Sequence, residues 1–447
     1  MTDTQVRETD TKPEVAGTAA PVDALHARLQ AIDLPQGGPL AAARADALSR
    51  LQAMGLPKPR DEYWRYTDPA PFNAPRPKAV AIDPNVGDTL IYDGLAQTKL
   101  VFVDGKFDAA ASDAFPTDGV ELARLDDAPD WAVAQYGTME ARGQSPVARP
   151  FATLNTLAAR EGIVLRVTGK LSQPIHIIHR RTNDSADVNI HHLIRMEPGS
   201  EATVIESGLV GARSNIVVEA EVLDGARLHM ISNQRATVDK VGISHIFARV
   251  ADKALFKSFI LTVSGRMMRN EAFIEIAGDD SVAHVAGAVL GDSAEGEFHH
   301  DDTIFITHAA ERCESRQVFK KVLKNGAVGV FQGKILVKPG AQKTDGYQIS
   351  QALLLDESSQ FLAKPELEIY ADDVKCSHGS TTGAIDETAL YYLRSRGVPK
   401  DRAIVLLVLS FLADALAEID DDDIRDRITA RLDDWLVGHA SDRVAQR

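Results

Sequence analysis

The chain has 447 residues and a formal net charge of −15, with 44% hydrophobic and 25% charged residues. This composition predicts a globular chain with enough apolar material for a large core. The acidic charge argues against general binding of nucleic acid or of an anionic membrane surface. The two cysteines, Cys313 and Cys376, exclude both a disulfide framework and a cluster held by four cysteines of this chain. They fit a reducing compartment, in which thiols stay free.

The first 21 residues are predicted to be a disordered tail. Residues 1–21 contain acids and lack the apolar centre of a signal peptide. The longest apolar run, residues 403–413, is shorter than the ~20 residues that a membrane helix needs. We therefore expect a cytoplasmic protein without a membrane segment.

Residues 22–85 are predicted to contain helices and then a connector. Apolar residues recur first at steps of 3, 4 and 3, which places them on one helix face, and a second helix follows with leucines three positions apart. The stretch 55–78 is rich in proline and aromatic residues, which indicates an ordered connector rather than a helix or strand. We expect its Trp64 and Tyr66 to cover the end of a core, and stacking on a ligand is the alternative.

Residues 86–385 are predicted to form a right-handed parallel β-helix, in which short strands coil into a stacked solenoid. Period-2 alternation with β-branched residues recurs in segments such as IVLRV, NIVVEAEV and AFIEIAG. A polar turn followed by a small or apolar residue repeats at spacings of 24, 28 and 28, which favours coils of two or three strands. An antiparallel sandwich is the alternative. Helical periodicity is expected only at 316–326. The repeated residues are Ala202, Ala226, Ala254 and Val282.

Residues 386–447 are predicted to form a helical domain. Asp386 can cap a first helix that Gly397 ends. Pro399 can open a second helix, which contains the apolar run 403–413. The apolar faces of these helices predict packing among the three helices or docking of a partner, and both interpretations stay open. The last helix has apolar residues at steps of 4, 4 and 3, namely Ile424, Ile428, Leu432 and Trp435.

Cys376 and His378 pass a spacing test for a metal site. They are two positions apart, so on an extended segment both side chains face the same way, with Cα atoms about 7 Å apart. Both residue types are metal ligands. No third ligand is evident, and a buried thiol beside a hydrogen-bonded histidine is the competing interpretation. Cys313 is expected to be structural. Other histidine pairs are spaced for opposite faces of a strand and are expected at the surface or at coil edges: His176/His179, His191/His192 and His299/His300.

Motifs of several enzyme classes are missing from the sequence. We find no P-loop, no dinucleotide-binding glycine fingerprint after a strand and no nucleophile elbow. A β-helix with scattered acids would suit an enzyme that acts on carbohydrate, and this class is an alternative. The aromatic content of 6% offers few platforms on which sugars could stack.

Four stretches of the chain resemble the SufB/SufD family of iron–sulfur cluster assembly scaffolds. The longest, residues 330–398, contains KCSHGSTTGAID around Cys376 and His378 and is similar to the SufD branch. The SufB branch has a different wording there and an upstream cysteine that this chain lacks. The shorter stretches are EYWRYTD at 62–68, FATLNTLAAREG at 151–162 and HAAERCESRQVFKKVL at 308–323.

The resemblance implies a scaffold subunit, not an enzyme, that pairs with a SufB-like protein through their β-helices. It implies that His378 lies at that interface and takes part in assembling a nascent iron–sulfur cluster, with Cys376 close by as a second metal ligand. Such a cluster would be transient and shared with the partner, and none would be firmly bound by the isolated chain. The C-terminal helices would bind a SufC-like ABC-type ATPase. We expect that contact at Tyr391, Leu393, Leu406 and Leu409.

Two other interpretations accompany this one. In a purely structural adaptor, Cys376 and His378 would only pack or form hydrogen bonds at the interface. The isolated chain is also compatible with a homodimer through the end of the β-helix, since a self-complementary patch closes a two-fold assembly.

Overall fold

The computed structural model describes residues 23–82, 91–115, 118–235 and 239–441, and the tail predicted for 1–21 lies outside them. The fold is mainly β. Two long, mostly parallel sheets form a β-solenoid, with helices towards both ends of the chain. The predicted parallel β-helix with flanking helices is confirmed, and the antiparallel sandwich is wrong. Within the described part of the chain, no helix is both long and apolar enough to cross a membrane.

The N-terminal part contains short helices, a connector and the first strands. Its elements are α1 (Ala24–Gln30), α2 (Ala41–Met54), a 3₁₀ turn (Glu62–Trp64), α3 (Ala70–Asn73), β1 (Thr98–Val103), β2 (Lys106–Phe107), β3 (Val120–Arg124), a 3₁₀ turn (Leu125–Asp127), α4 (Asp130–Gln135), α5 (Thr138–Arg142) and α6 (Pro150–Ala158). Trp64 is buried against the rings of Phe72 and Phe151. It therefore covers the core, as the sequence predicted, while Tyr66 is half-buried.

The solenoid strands alternate between the two sheets along the chain. They are β4 (Ile163–Val167), β5 (Ile175–Arg180), β6 (Asp187–Met196), β7 (Glu201–Gly208), β8 (Arg213–Val222), β9 (Arg227–Arg235), β10 (Val241–Val250), β11 (Leu255–Val263), β12 (Met267–Ile276), β13 (Val282–Asp292), β14 (His299–His308), β15 (Glu314–Lys324), β16 (Val328–Val337), β17 (Asp345–Leu354), β18 (Gln360–Ile369) and β19 (Lys375–Gly383). Sheet I contains β1, β2 and the odd-numbered strands from β5 to β19. Sheet II contains β3 and the even-numbered strands from β4 to β18.

Each full coil contributes one strand to each sheet, and the coil length varies. Glu201 pairs with Arg227, 26 positions on, whereas Val282 pairs with Glu314, 32 positions on. The predicted repeat therefore exists, but the four predicted residues do not all occupy equivalent positions in successive coils. Leu255 donates a backbone hydrogen bond to Ala226, which places Ala226 level with Ala254. The other two predicted repeat residues, Ala202 and Val282, lie two positions and one position out of that alignment.

A column of small residues lines one corner of the solenoid. Each residue of the column is 0% or 1% exposed, and backbone hydrogen bonds connect successive coils there. Only small side chains fit, because the chain turns sharply while the neighbouring coil lies about 4.8 Å away. Cys313 belongs to this column, so it is structural, as predicted. The members are Ser200, Ala226, Ala254, Ser281, Cys313 and Thr344.

Two segments differ from the secondary structure expected from the sequence. The helix predicted at 316–326 is wrong, because this segment belongs to β15. That strand is buried on both faces, between the solenoid interior and a helix, so its apolar residues do not alternate. Conversely, α4, α5 and α6 occupy 130–158, where strands alone were expected; these helices pack on the outer face of sheet II.

The C-terminal helices cover the outer face of sheet I. They are α7 (Glu387–Ser395), α8 (Lys400–Leu416) and α9 (Asp422–Ser441). The Asp386 side chain accepts from the amides of Thr388 and Ala389, which confirms the predicted cap. Ile424, Ile428 and Leu432 are buried in one cluster with the outer residues of sheet I. The apolar stripe of α9 is therefore packing surface.

A stack of left-handed turn residues offers a test of the coil geometry. Gly199, Gly225 and Lys253 occupy equivalent turn positions with φ of 72°, 66° and 55°, and only the last has a side chain. Because a Cβ is disfavoured at such angles, we expect Lys253→Gly to stabilise the protein by about 0.5–1 kcal/mol. Thermal unfolding measures this. Asp224 lies in the preceding turn and has no positive φ, so Asp224→Gly should destabilise the protein instead. Changes in stability of the same sign for the two variants would contradict this explanation.

Candidate functional site

The last coil leaves the C-terminal end of the solenoid open. β19 is the edge of sheet I and β18 is the edge of sheet II, and each pairs with a single strand of the preceding coil. Their outer edges carry backbone groups without a strand partner, apart from Pro365 of β18, which has no N–H to offer. Cys376 and His378 both lie on β19, so the structure places the two predicted ligands at this open end.

Cys376 faces the interior of the last coil. It is half-buried and packs with Leu367 of β18 against an apolar cluster that includes Ile335. Its strand partner is Gly346, where an added Cβ would lie 3.2 Å from the Cys376 Sγ, so a larger residue would crowd the thiol. Burial raises the pKa of the Cys376 thiol above its usual value. The thiol is therefore protonated at neutral pH and must lose a proton before it can bind a metal.

His378 is exposed and shares the inward orientation of Cys376, because the two residues are separated by two positions on one strand. Its partner in β17 is Gln348, which is fully buried. The Gln348 side chain donates a 2.8 Å hydrogen bond to Gln317 on β15, in the preceding coil. The neighbouring Ser380 hydroxyl lies 2.7 Å from that of Ser350. Polar side chains of the preceding coil therefore lie beneath His378 and Ser380, whereas Cys376 lies above Gly346 and the apolar cluster. Sequence reasoning missed this arrangement, since it appears only when strands 30 positions apart are aligned.

Cys376 and His378 by themselves do not make up a complete metal site. A thiol and an imidazole suit iron or zinc, which require at least two further ligands for a four-coordinate site. Within the described ranges, one group of three potential ligand residues has its ligand atoms within 4.8 Å of one another, and it includes neither Cys376 nor His378. Among the described residues, these two therefore supply two potential ligands and no clustered third.

The group of three is His179, His192 and Glu206, inside the solenoid. The His179 and His192 Nε2 atoms lie 2.8 Å and 3.8 Å from the Glu206 carboxylate. However, the Ile163 amide donates to His192 Nδ1 at 3.0 Å, so the Nε2 of the neutral ring carries its proton and cannot ligate. Although burial opposes it, the hydrogen bond from His179 and the nearby His192 ring lower the pKa of Glu206. The group therefore fits a hydrogen-bonded interior cluster and does not fit a metal site.

The spacing test missed this cluster because its members come from three different strands. The expectation that the paired histidines lie at the surface or at coil edges is wrong for most of them, because they are buried; His299 is half-buried. His176, for example, is held between Gln97 at 2.8 Å and Ser207 at 2.7 Å. Burial lowers the pKa of His176 to about 3, so it is neutral at physiological pH.

Another buried histidine, His245 on β10, should make stability depend on pH. Burial lowers its pKa to about 4, and neither ring nitrogen has a hydrogen-bond partner in the described part of the chain. The pKa of histidine in the unfolded chain is about 6.5. The contribution of the neutral, buried His245 ring to stability is therefore fully present above pH ~6.5 and is lost as the pH falls towards 4. We expect His245→Phe to reduce the fall in melting temperature between about pH 7 and pH 5. An unchanged pH slope would contradict this, and His26→Phe on exposed α1 is the control.

The four residues predicted to contact an ATPase differ in their accessibility. Tyr391 is 70% exposed on α7, and Leu406 is 36% exposed on α8. Leu393 is half-buried, and Leu409 packs against the core between the helices and sheet I. Tyr392, which the sequence analysis did not single out, is 61% exposed beside Tyr391. The accessible apolar surface of α7 and α8 is therefore Tyr391, Tyr392 and Leu406.

Comparison with known proteins places this open-ended solenoid and its helical layer in a family of iron–sulfur cluster assembly proteins. The family model of the SUF system FeS cluster assembly SufBD core domain matches residues 179–411, more than half of the chain. The chain belongs to this family.

Within the family, the chain is SufD-like. It is 30% identical to the iron–sulfur cluster assembly protein SufD of Escherichia coli (strain K12), over 88% of this chain and 92% of that protein. It is 26% identical to a SufBD family protein of Synechocystis, over 84% of this chain and 86% of the relative. It is also 24% identical to the chloroplastic protein ABCI7 of Arabidopsis thaliana, over 87% and 84% of the two chains.

Proposed function

We propose that this chain is the SufD-like scaffold subunit of a SufBCD-type complex and contributes His378, with Cys376 beside it, to a nascent iron–sulfur cluster site shared with a SufB-like partner. One observation carries the proposal: two inward-facing ligand residues lie on an edge strand at the open end of the solenoid, with no third ligand near them in the described chain. Such an arrangement can become a complete cluster site when a second protein covers the end and supplies further ligands.

The open end has the features of a pairing surface. Both terminal strands offer free edges, and a second solenoid can continue the sheets by strand addition. Ile369, the last residue of β18, and Tyr370, which follows it, are 41% and 61% exposed, which adds apolar contact area for a partner. The same surface would support a homodimer of the isolated chain.

The two residues have unequal chemical roles in this proposal. His378 is exposed and can offer a ring nitrogen to iron without first leaving a packed environment. Cys376 is half-buried, and its thiol holds its proton more tightly than usual. Before the sulfur can bind, a base from the partner must accept that proton, or iron must replace it on the sulfur. We therefore assign His378 as the first ligand and Cys376 as a secondary ligand of the cluster, which is the cargo of the complex.

We further infer that a SufC-like ABC-type ATPase docks on α7 and α8 at Tyr391, Tyr392 and Leu406. The end of α8 and the loop after it are tied to sheet I by ion pairs. Lys320 of β15 lies 2.9 Å from Asp414, and Lys257 of β11 lies 2.7 Å from Asp420. A displacement of the helical layer by the ATPase would therefore be transmitted to the strands that lead to the open end.

Co-expression tests the assembly directly. The tagged chain is produced with a SufB-like β-helix protein and a SufC-like ATPase, and the captured complex is analysed for subunit ratio and iron. We expect both partners to co-purify and the isolated chain to hold little iron. Capture of neither partner would overturn the proposal, and degradation of polyuronates by the isolated chain would favour the carbohydrate-active alternative.

A further inference from the structure

The N-terminal connector reaches across sheet II to the open end of the solenoid. Its 3₁₀ turn, Glu62–Trp64, lies on the outer face of sheet II and contacts β18, about 300 positions later in the chain. The Tyr63 hydroxyl donates a 2.8 Å hydrogen bond to the Glu366 carboxylate. Lys364 lies 2.6 Å from Glu62, and its ammonium is 4.1 Å from the centre of the Tyr63 ring. These contacts form a latch between the connector and the edge strand.

The connector side of the latch is firmly held by strands farther from the end. The Tyr63 carbonyl accepts from Arg269 of β12 at 3.0 Å and from Gln332 of β16 at 3.2 Å. The Arg269 guanidinium also lies 4.2 Å from the ring centre of Trp64. Tyr63 is 6% exposed and Arg269 is 1% exposed, so these contacts are shielded from water. The turn is therefore a rigid support beside the weakly supported strand β18, which has a single strand neighbour.

The latch is connected to the candidate site through one residue. Leu367 follows Glu366 on β18, so its side chain points to the opposite face, into the solenoid. There it packs in the same apolar cluster as Cys376 of β19. A shift of β18 would therefore change the wall against which the Cys376 thiol packs.

We propose that Tyr63 is a positioning residue for the open end: through its hydrogen bond to Glu366 it fixes β18 and thereby the inner wall of the Cys376–His378 site. The proposal gives Tyr63 a role within the proposed scaffold function, but the contacts on which it depends are internal to this chain. It can therefore be tested without any partner.

The protonation states suit a permanent latch. Burial, and then the hydrogen bond to Glu366, raise the pKa of Tyr63 to about 12, so the phenol remains a donor. Although burial opposes it, hydrogen bonds from Lys364 and Tyr63 hold the pKa of Glu366 below its usual value. The donor and acceptor keep these roles throughout the neutral range.

The decisive experiment uses Tyr63→Phe in the isolated full chain. This substitution removes the hydroxyl and keeps the ring that packs against Phe305. Hydrogen exchange of the amides in 360–369 should accelerate by roughly tenfold, as expected for the loss of one hydrogen bond to a charged acceptor. Alkylation of Cys376 should accelerate several-fold, while alkylation of the buried Cys313 stays at its original rate.

Cys313 is the internal control for general unfolding, and Tyr66→Phe in the same connector is the matched control. The Glu366→Ala variant should accelerate the exchange at least as much, because it also removes the 2.9 Å ion pair between Lys364 and Glu366. Adding Tyr63→Phe to it should have no further effect, because the hydrogen bond of Tyr63 to Glu366 is then already absent. Unchanged exchange in 360–369 would overturn the proposal, and so would equal acceleration of Cys313 and Cys376. Neither outcome depends on partner capture, so a failure of the scaffold function would be seen separately.

Discussion

Replacing His378 by alanine is expected to lower the iron–sulfur content of the co-purified complex by at least about tenfold, since even the loss of a residue that only orients a metal ligand costs roughly 10- to 100-fold in metal affinity. The melting temperature of the isolated variant should stay within about 1 °C, because substitutions at exposed positions without special contacts change stability by less than ~0.5 kcal/mol. His378 is exposed. Iron and acid-labile sulfide per complex are the measurements.

The control for this experiment is His26→Ala, another exposed histidine, on α1 far from the open end in the chain. Cys376→Ser should give a smaller loss of cluster than His378→Ala, because the thiol is the secondary ligand. Unchanged loading in His378→Ala would rule out the ligand role. A lower yield of complex with normal iron per complex would instead identify a purely structural adaptor.

The double variant Tyr391→Ala/Leu406→Glu is expected to abolish capture of the SufC-like ATPase. Both side chains are exposed, at 70% and 36%, so the fold should tolerate their loss. Truncation of a hot-spot residue of an interface, of which Tyr is a common kind, costs about 2 kcal/mol or more, and such a loss weakens binding roughly thirtyfold. Subunit ratios after co-purification measure the effect, and the SufB-like partner should remain bound.

Ile82→Ala is the control for that variant, because Ile82 is also an exposed apolar residue, 41% accessible, in the N-terminal region. Point substitutions are preferable to a truncation after residue 385. Removal of the helices would uncover Ile231, Phe259 and Val318 on the outer face of sheet I, and the exposed apolar face would aggregate. Retention of the ATPase by the double variant would contradict the proposed docking surface.

Most secondary-structure elements were readable from local sequence patterns. Period-2 alternation predicted strands, and the cap at Asp386 predicted the start of α7. The patterns failed where tertiary burial changed them. β15 is covered on both faces, so its apolar run does not alternate and was interpreted as a helix. The short helices between 130 and 158 pack on sheet II and carry no long amphipathic repeat of their own.

For the candidate site too, local sequence patterns predicted one part, and the stacking of the coils decided the rest. The spacing of Cys376 and His378 predicted that they share a face of one strand, and the structure agrees. The buried Gln348 beneath His378 depends on a 30-residue register between coils that irregular turns change from 26 to 32. No local pattern encodes such a register.

By itself, the sequence determined the solenoid class, the helices near both ends of the chain and the placement of Cys376 and His378 on one strand, because these depend on periodicities of two, three or four positions. Tertiary structure alone decided that the strand is the open edge and that His179, His192 and Glu206 meet inside. It also decided that Tyr63 supports Glu366 from about 300 positions away. The physical reason is that stacking aligns residues by the length of each coil and by packing between layers, and both are set by the whole chain.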